Sequence, residues 1–593
     1  MAKKRWYFAQ RLGWVSFALA LAACSDHAGD DGSPSDAGTA GGLGAGRAGA
    51  SAAAGRAAGG SGANSGAPNG GVPSWNGGAP AGGADTTAGG RASTMGGRGN
   101  GAGTGGRELG AGGTTSGGSN GAGRGGRSNA GAANGGAANG GAANGGAPNG
   151  GRSGSNGGGS AGAAMAGLPD GVTAMFPAPG ATNLCKDPSL RITFPKPPAF
   201  GKSGTVQVLD ASGKVAASVD LGAQSVTDTI GGQSFTLGRR AYIDGNTAVL
   251  YLPSKGLAYG QTYSVTVPAG AIVPSGGGSF SLSGSTWRFS TAAAAPSNLT
   301  NVSVALDGSG AFCSLQGALD ALPSGGSTSS TVTLASGHYY EVVYFKNKSN
   351  LTIHGQSRSD TVILGTNNNN LNPSTKTRAL VGADGAQNLV VENLTIQNLT
   401  PQDGSQAEAL RLESCTHCSV RDADIRSLQD TLLWSGTLYA KNCFIAGNVD
   451  FIWGTGAAYF DHCEIKTVGR NGYVVQARNG TSGYGYVFVD SKLTADAGIT
   501  GSVLARIDVS VYPASHVAYV NCAIGSHISR AGWLVTGGSP TSALRFWEYQ
   551  STDLDGNPLD VSGRLAGSTQ ISASQAASMR DPSAVLGGWQ PPN

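Results

Sequence analysis

The chain has 593 residues, 101 of them glycine, and a formal net charge of +4 at pH 7. About half of the glycines precede residue 167, so the N-terminal quarter lacks the large apolar side chains that a core requires. Lys3, Lys4, Arg5 and Arg11 account for the whole net charge and the rest balances to zero, which argues against nucleic acid or an anionic membrane surface as partner.

Residues 1–24 read as an export signal. A basic start, Lys3-Lys4-Arg5, precedes an apolar run from Val15 to Ala23 that is too short to span a bilayer as a helix. The run ends Leu21-Ala22-Ala23-Cys24, which resembles the lipobox of bacterial lipoproteins. That resemblance implies cleavage before Cys24, lipidation of its thiol and anchoring to a bacterial membrane, outer membrane or cell surface; plain secretion is the alternative. Either route leaves the cytoplasm and permits disulfides. Residues 25–166 are Gly/Ala/Ser/Asn-rich, with Ala-Ala-Asn-Gly-Gly repeated between Ala132 and Gly146. This composition predicts a disordered tether, with an end-to-end distance of roughly 5–6 Å × √n.

Residues 167–295 change character. Short alternating runs appear at Leu190–Phe194, Thr205–Leu209, Ala248–Leu252, Thr262–Val267 and Thr286–Ser290, punctuated by Gly, Pro, Ser and Asp. The pattern predicts a β-sandwich. Pro177-Ala-Pro-Gly-Ala181, Leu257-Ala-Tyr-Gly-Gln-Thr-Tyr263 and Trp287-Arg-Phe-Ser-Thr291 resemble bacterial Ig-like domains. No acid pair, nucleophile or metal cluster stands out here, so a spacer or weak binding module is expected.

Residues 296–593 carry a repeat. Val390–Ile396, Ser419–Ile425, Tyr439–Ile445, Tyr459–Ile465, Val487–Leu493 and Ala518–Ile524 share one outline: two apolar positions, two polar ones, a small or apolar residue, any residue, then Ile or Leu. The closing aliphatic recurs at intervals of 29, 20, 20, 28 and 31. A period of twenty-odd residues with one such strand per period predicts a parallel β-helix, in which equivalent positions stack about 4.7–4.9 Å apart. The chain is therefore read as all-β. Leu394, Ala423, Cys443, Cys463, Ser491 and Cys522 share one inward position, so Cys443 and Cys463 are expected as neighbours, either as a buried stack or as a disulfide. Cys415 and Cys418 lack the further ligands of a structural zinc site, which favours small buried residues or a disulfide partner. The pairing of Cys185, Cys313 and the other cysteines is open.

Asp430 and Asp450 each follow their repeat's isoleucine by five positions, so they stack. Charges one strand spacing apart interact by about 4 kcal/mol at an effective dielectric of 20. One proton should be held strongly by such a pair, leaving one acid able to donate and one carboxylate able to attack. A turn-capping role for Asp430 and a loop-shaping role for Asp450 compete with that reading. Gln429 adjoins Asp430 and Gln406 lies on the preceding coil, where neutral amide donors suit a developing oxyanion. Arg506, on a later coil, could pair with one aspartate and keep it ionised. Together these describe acyl transfer without serine or histidine.

At this point a family resemblance appears. Gly337-His-Tyr339-Tyr-Glu341, Gln406-Ala-Glu-Ala-Leu410, Gln429-Asp430-Thr-Leu432 and Gly447-Asn-Val-Asp450-Phe-Ile-Trp-Gly454 match pectin methylesterase motifs in family order. Val475-Gln-Ala-Arg478 and Ala531-Gly-Trp533 fit looser ones. The resemblance implies a right-handed parallel β-helix acting on pectin, as a monomer, without metal or organic cofactor. It implies Asp450 as nucleophile, Asp430 as acid and then base, Gln406 and Gln429 as oxyanion donors, and Arg506 as the residue orienting Asp450. Trp453 and Tyr339 become candidates for sugar stacking, with packing inside a coil as the competing role. One departure stands out: Leu504-Ala-Arg506-Ile-Asp508 replaces the family's Leu-Gly-Arg-Pro-Trp. Asp508 in the sugar groove would disfavour an adjacent free galacturonate. Two other classes compete: a β-helix that cleaves the polysaccharide chain, and a surface β-helix that binds glycan without catalysis.

Overall fold

The structure, a computed structural model, describes residues 167–401, 405–538 and 542–592. The export signal with Cys24, and the tether at 25–166, lie outside the described residues. Among the described residues the regular structure is nearly all strand, in two regions that share a seam.

The first region is a sandwich of two sheets. Ala174–Phe176, Leu190–Thr193, Thr247–Leu250 and Ala241–Asp244 form one; Ala181–Leu184, Arg288–Thr291, Thr262–Thr266, Thr205–Leu209 and Val215–Asp220 form the other. Alternation drives the layering: Val206 and Val208 are buried while Thr205, Gln207 and Leu209 between them are only half-buried. Trp287 fills the centre, and its indole N–H is satisfied by the Pro177 carbonyl at 2.7 Å.

This sandwich is more than a spacer. The hairpin Ser225–Ile230/Gln233–Gly238 reaches the second region, where Ile230 and Phe235 pack on Tyr344. The Asn372 side chain exchanges two 2.8 Å hydrogen bonds with the Thr236 backbone. A Cys185–Cys313 disulfide crosses the seam. Beside it, helix α1 (Leu315–Ala321) is capped from both sides. Asp187 of the sandwich accepts from the Cys313 and Ser314 amides, and Glu341 of the second region accepts from the Leu315 and Gln316 amides.

The second region is the parallel β-helix. Its strands fall into a sixteen-stranded and an eight-stranded sheet, and the recorded ladders between its named strands are all parallel. The repeat outline sets the register. Ile396, Ile425, Ile445, Ile465, Leu493 and Ile524 are successive Cα partners. The two-apolar start of each repeat stacks as well, from Val390 through Ser419, Tyr439, Tyr459 and Val487 to Ala518. Between start and close the chain turns a corner. Asn393, Asp422, Asn442, His462, Asp490 and Asn521, each three positions before the aliphatic, have φ of 49–56°. Only short polar side chains enter this left-handed region at low cost, which explains the polar positions of the outline. The small inward residue follows one position later, and all six are buried.

Two open readings are decided here. Tyr339 heads the aliphatic ladder, pairing with Ile363, which pairs in turn with Ile396. It is 1% exposed, and its hydroxyl donates to the Ala335 and Val304 carbonyls. Tyr339 is therefore a packing residue that sugar cannot reach. Cys443 and Cys463 form the buried thiol stack instead of a disulfide, and Cys522 is likewise free and buried. Cys415 and Cys418 are bonded to each other, closing an irregularity in a strand that otherwise follows its neighbour's register.

Candidate active site

Five parallel strands carry the site: β1 (Leu410–Arg421), β2 (Leu432–Lys441), β3 (Ile452–Asp461), β4 (Tyr473–Ala477) and β5 (Val503–Asp508). Each pairs with the next. Leu410, Leu432 and Ile452 are mutual partners at the starts of β1, β2 and β3. Two positions before each lies an acid: Glu408, Asp430 and Asp450. The three form a column, one strand spacing per step. Asp430 and Asp450 have φ of 64° and 47°, so their identity also serves the backbone. All three are buried, with relative exposures of 0, 7 and 6%.

The two aspartates have opposite surroundings. Arg506 grips Asp450 with two N–H groups, Nε to Oδ1 at 2.8 Å and Nη2 to Oδ2. Gln476 adds a longer 3.4 Å contact to Oδ2. Burial works against the Arg506 cation, but the hydrogen bond and charge of Asp450 outweigh it and hold its pKa above the ordinary value. The Tyr473 ring lies 4.4 Å below the same guanidinium. Asp430 receives one N–H, from Arg378 to Oδ2 at 2.8 Å. Among the described residues, its Oδ1 has no hydrogen-bond partner. Burial pushes the Asp430 carboxyl well above the usual carboxylate range, the Glu408 charge adds to this, Arg378 opposes it, and Asp450 adds again. The column thus sets a carboxylate oriented by a two-point guanidinium grip beside a carboxyl whose proton affinity is raised by burial and by neighbouring negative charge.

The structure brings Asp430, Asp450 and Arg506 together. Gln429 bridges in register to Val449 and is half-buried; among the described residues its carboxamide makes no hydrogen bond. Gln406 is half-buried on the preceding coil, with Oε1 taken by the Ser405 hydroxyl at 2.9 Å. Trp453 begins β3 beside the column, but it is 7% exposed, with the Arg478 and Arg378 guanidinium carbons 4.6 and 5.6 Å from its ring centre. Cation–π packing is its observed contact, not an open stacking face. Asp508 is half-buried at the end of β5. Its Oδ1 accepts from the Ser510 amide and hydroxyl, so the carboxylate closes a turn in its own chain.

Several residues escape sequence reasoning. Arg378 and Glu408 form a buried ion pair at the column. Gln476 and Arg478 were visible as part of a motif, but without a role: Arg478 donates to Gln476 Oε1 through Nε and Nη2, which turns the Gln476 amide toward Asp450. Tyr512 brings an aromatic ring 5.6 Å from Arg478. Its only sequence signal is proximity to Arg506. A cleft of about 90 Å³ lies at the domain seam, lined by Tyr242, Tyr251, Tyr340 and Glu341 among others. None of the column's acids lines it.

Comparison with known proteins agrees with these motifs. The pectinesterase family model matches residues 301–580, and a bacterial Ig-like domain matches residues 168–291. Pectinesterase 31 of Arabidopsis thaliana is 29% identical over 207 residues, covering 33% of this chain and 65% of that protein. Probable pectinesterase 56 of the same plant is 31% identical over 241 residues, covering 39% of this chain and 83% of that protein. The pectinesterase of Daucus carota is 30% identical over 302 residues, covering 49% and 93%. The solved structure of pectin methylesterase from carrot aligns with a TM-score of 0.45 at 27% identity, over 50% of this chain and 95% of that one. With more than four-fifths of two relatives matched at 30% identity or above, and with the acid column lying inside the matched span, this chain belongs to the pectinesterase family.

Proposed function

We propose that the β-helix removes methyl esters from pectin, that is, methyl-esterified homogalacturonan, releasing methanol and pectate. The observation that carries this reading is the asymmetry of the column: Asp450 gripped by two N–H groups of Arg506, and Asp430 buried one step away. In this mechanism an Asp450 oxygen attacks the ester carbonyl. The carbonyl π electrons move onto oxygen, where the Gln406 and Gln429 amides receive the developing charge. Collapse breaks the C–OCH₃ bond, and Asp430 passes its proton to the leaving methoxide, giving methanol and an acyl-enzyme anhydride. Asp430, now ionised, takes a proton from water as that water attacks the anhydride. Asp450 leaves as carboxylate and Asp430 is reprotonated. Arg506 orients Asp450 throughout. Tyr473, packed on the Arg506 guanidinium, and Tyr512, beside Arg478, are half-buried aromatic rings close to the column that could meet sugar.

The test is incubation of the protein with methylated pectin, following methanol, new reducing ends and ultraviolet absorbance from unsaturated products. Methanol alone is expected. New chain ends would replace this reading with depolymerisation, and glycan binding without any product would replace it with adhesion.

The same proposal extends to location. Lys3-Lys4-Arg5, the apolar run and Cys24 support export with lipid anchoring, the protein acting as a monomer at a bacterial surface. Metabolic labelling with a radioactive fatty acid should mark the wild type. Equal labelling of Cys24→Ser would remove the anchor.

A further inference from the structure

The acid column has a third member that the esterase reaction does not require. Glu408 is completely buried at the x position of Gln406-Ala-Glu408-Ala-Leu410. Arg378, 7% exposed, comes from the loop of the preceding coil. Its Nε lies 2.9 and 3.0 Å from the two Glu408 carboxylate oxygens, and its Nη2 lies 2.8 Å from Oε1. That same Nη2 also donates to Asp430 Oδ2 at 2.8 Å. A buried cation on a general acid is a liability, because it favours the ionised form and strips the proton the reaction needs. A buried ion pair is also weak evidence for stability alone, since apolar side chains of similar size often serve as well.

We infer that Arg378 and Glu408 are a positioning pair for the proton donor: Arg378 holds Asp430 Oδ2 in place, and Glu408 neutralises Arg378 so that Asp430 retains its proton. The inference deepens the esterase reading and rests on it. Geometry supports the assignment of the proton. Glu408 has three close contacts to Arg378 and Asp430 has one, so the cation belongs chiefly to Glu408. Burial pushes both carboxyls up, and the Glu408 charge further raises that of Asp430. Other charged groups acting on Asp430 include Asp450 from β3's approach, Arg478 after β4 and Arg506 on β5, and the buried Arg411 on β1 acts on Glu408. Asp450 and Arg506 offset each other. Arg478 is turned onto Gln476 and Trp453.

The prediction has a sign. Ionised Asp430 is inactive in the first step, so its titration sets the alkaline limb of the kcat/KM profile for methanol release. Glu408→Gln removes the carboxylate charge that faces Arg378, and the alkaline limb should move acidward by about one pH unit or more. Arg378→Gln should move it the other way. The double variant Arg378→Met/Glu408→Leu, which replaces the pair with apolar side chains, should return the limb toward wild type and safeguards the test if a single variant does not fold. A purely structural pair would lower the rate at every pH and leave the limb in place; that result, or limbs moving in the opposite directions, overturns the inference. A wild type that releases no methanol would instead overturn the esterase reading. The pair is then still tested by difference infrared spectroscopy. The protonated-carboxyl band lost in Asp430→Asn must disappear at lower pH in Glu408→Gln than in wild type, and an unchanged midpoint rejects the inference.

Discussion

Carboxylates at the domain seam and at the acid column are held in opposite ways. At the domain seam, Asp187 and Glu341 are filled by four successive backbone amides, Cys313 to Gln316, at 2.9–3.2 Å. At the column, Glu408, Asp430 and Asp450 are held by guanidinium groups. Amide donors carry no net charge and are fixed by the fold, so the seam carboxylates are committed to capping α1. A guanidinium binds one edge of a carboxylate and sets its charge while leaving other lone pairs for a substrate. The family motif Gly337-His-Tyr339-Tyr-Glu341 falls at the seam, and the other motifs fall at the column. Adjacent matches to one family thus serve different ends, assembly in one case and chemistry in the other.

Substitutions should separate the two regions. The largest effect is expected for Asp450→Asn: methanol release should fall by about 10³-fold or more. Asn accepts the φ of 47°, so near-ultraviolet circular dichroism should stay that of the wild type. Wild-type turnover in this variant would remove the nucleophile assignment. Asp430→Asn should cost about 10²–10⁴-fold by loss of proton transfer, read as slowed release of methanol and slowed breakdown of the acyl-enzyme. At the seam, Asp187→Ala should leave turnover per folded molecule unchanged. It should lower stability by about 1–3 kcal/mol, because the Cys313 and Ser314 amides lose their acceptor; urea unfolding measures this, and a loss of turnover with intact folding would break the comparison. The smallest effect concerns pH. Burial raises Glu341 from 4.5 to about 7 in the folded chain. The folded state therefore binds more protons than the unfolded one across that window, and the stabilisation is full below the lower value and lost as pH rises through the upper one. Melting temperature should decline between those two pH values in the wild type, and that part of the decline should vanish in Glu341→Gln.

Much of this organisation is legible in the chain itself. The stacking of Ile396 through Ile524 follows from the repeat outline, and so does the alignment of Asp430 with Asp450, because both acids sit at one offset from aliphatics that are themselves partners. Arg506 was legible from its residue type as a partner for one aspartate, and the family resemblance named Asp450, which it grips. Tyr339 misled because its motif resembled a binding signature, whereas its place in the register made it a rung of the core.

What the sequence by itself determined is everything that repeats: strand register, polar corners in the left-handed region, the inward stack of small residues and the pairing of two acids. Backbone hydrogen bonds at one strand spacing convert equal offsets into contacts, so periodicity is enough. Only the tertiary structure decided the contacts that obey no period. Arg378 reaches Glu408 and Asp430 from a loop, Arg478 turns Gln476 toward Asp450, and the sandwich caps α1 through Asp187 and the Cys185–Cys313 bond. Those contacts depend on the paths of connecting segments and on the packing of one region against another, which side-chain order along the chain does not specify.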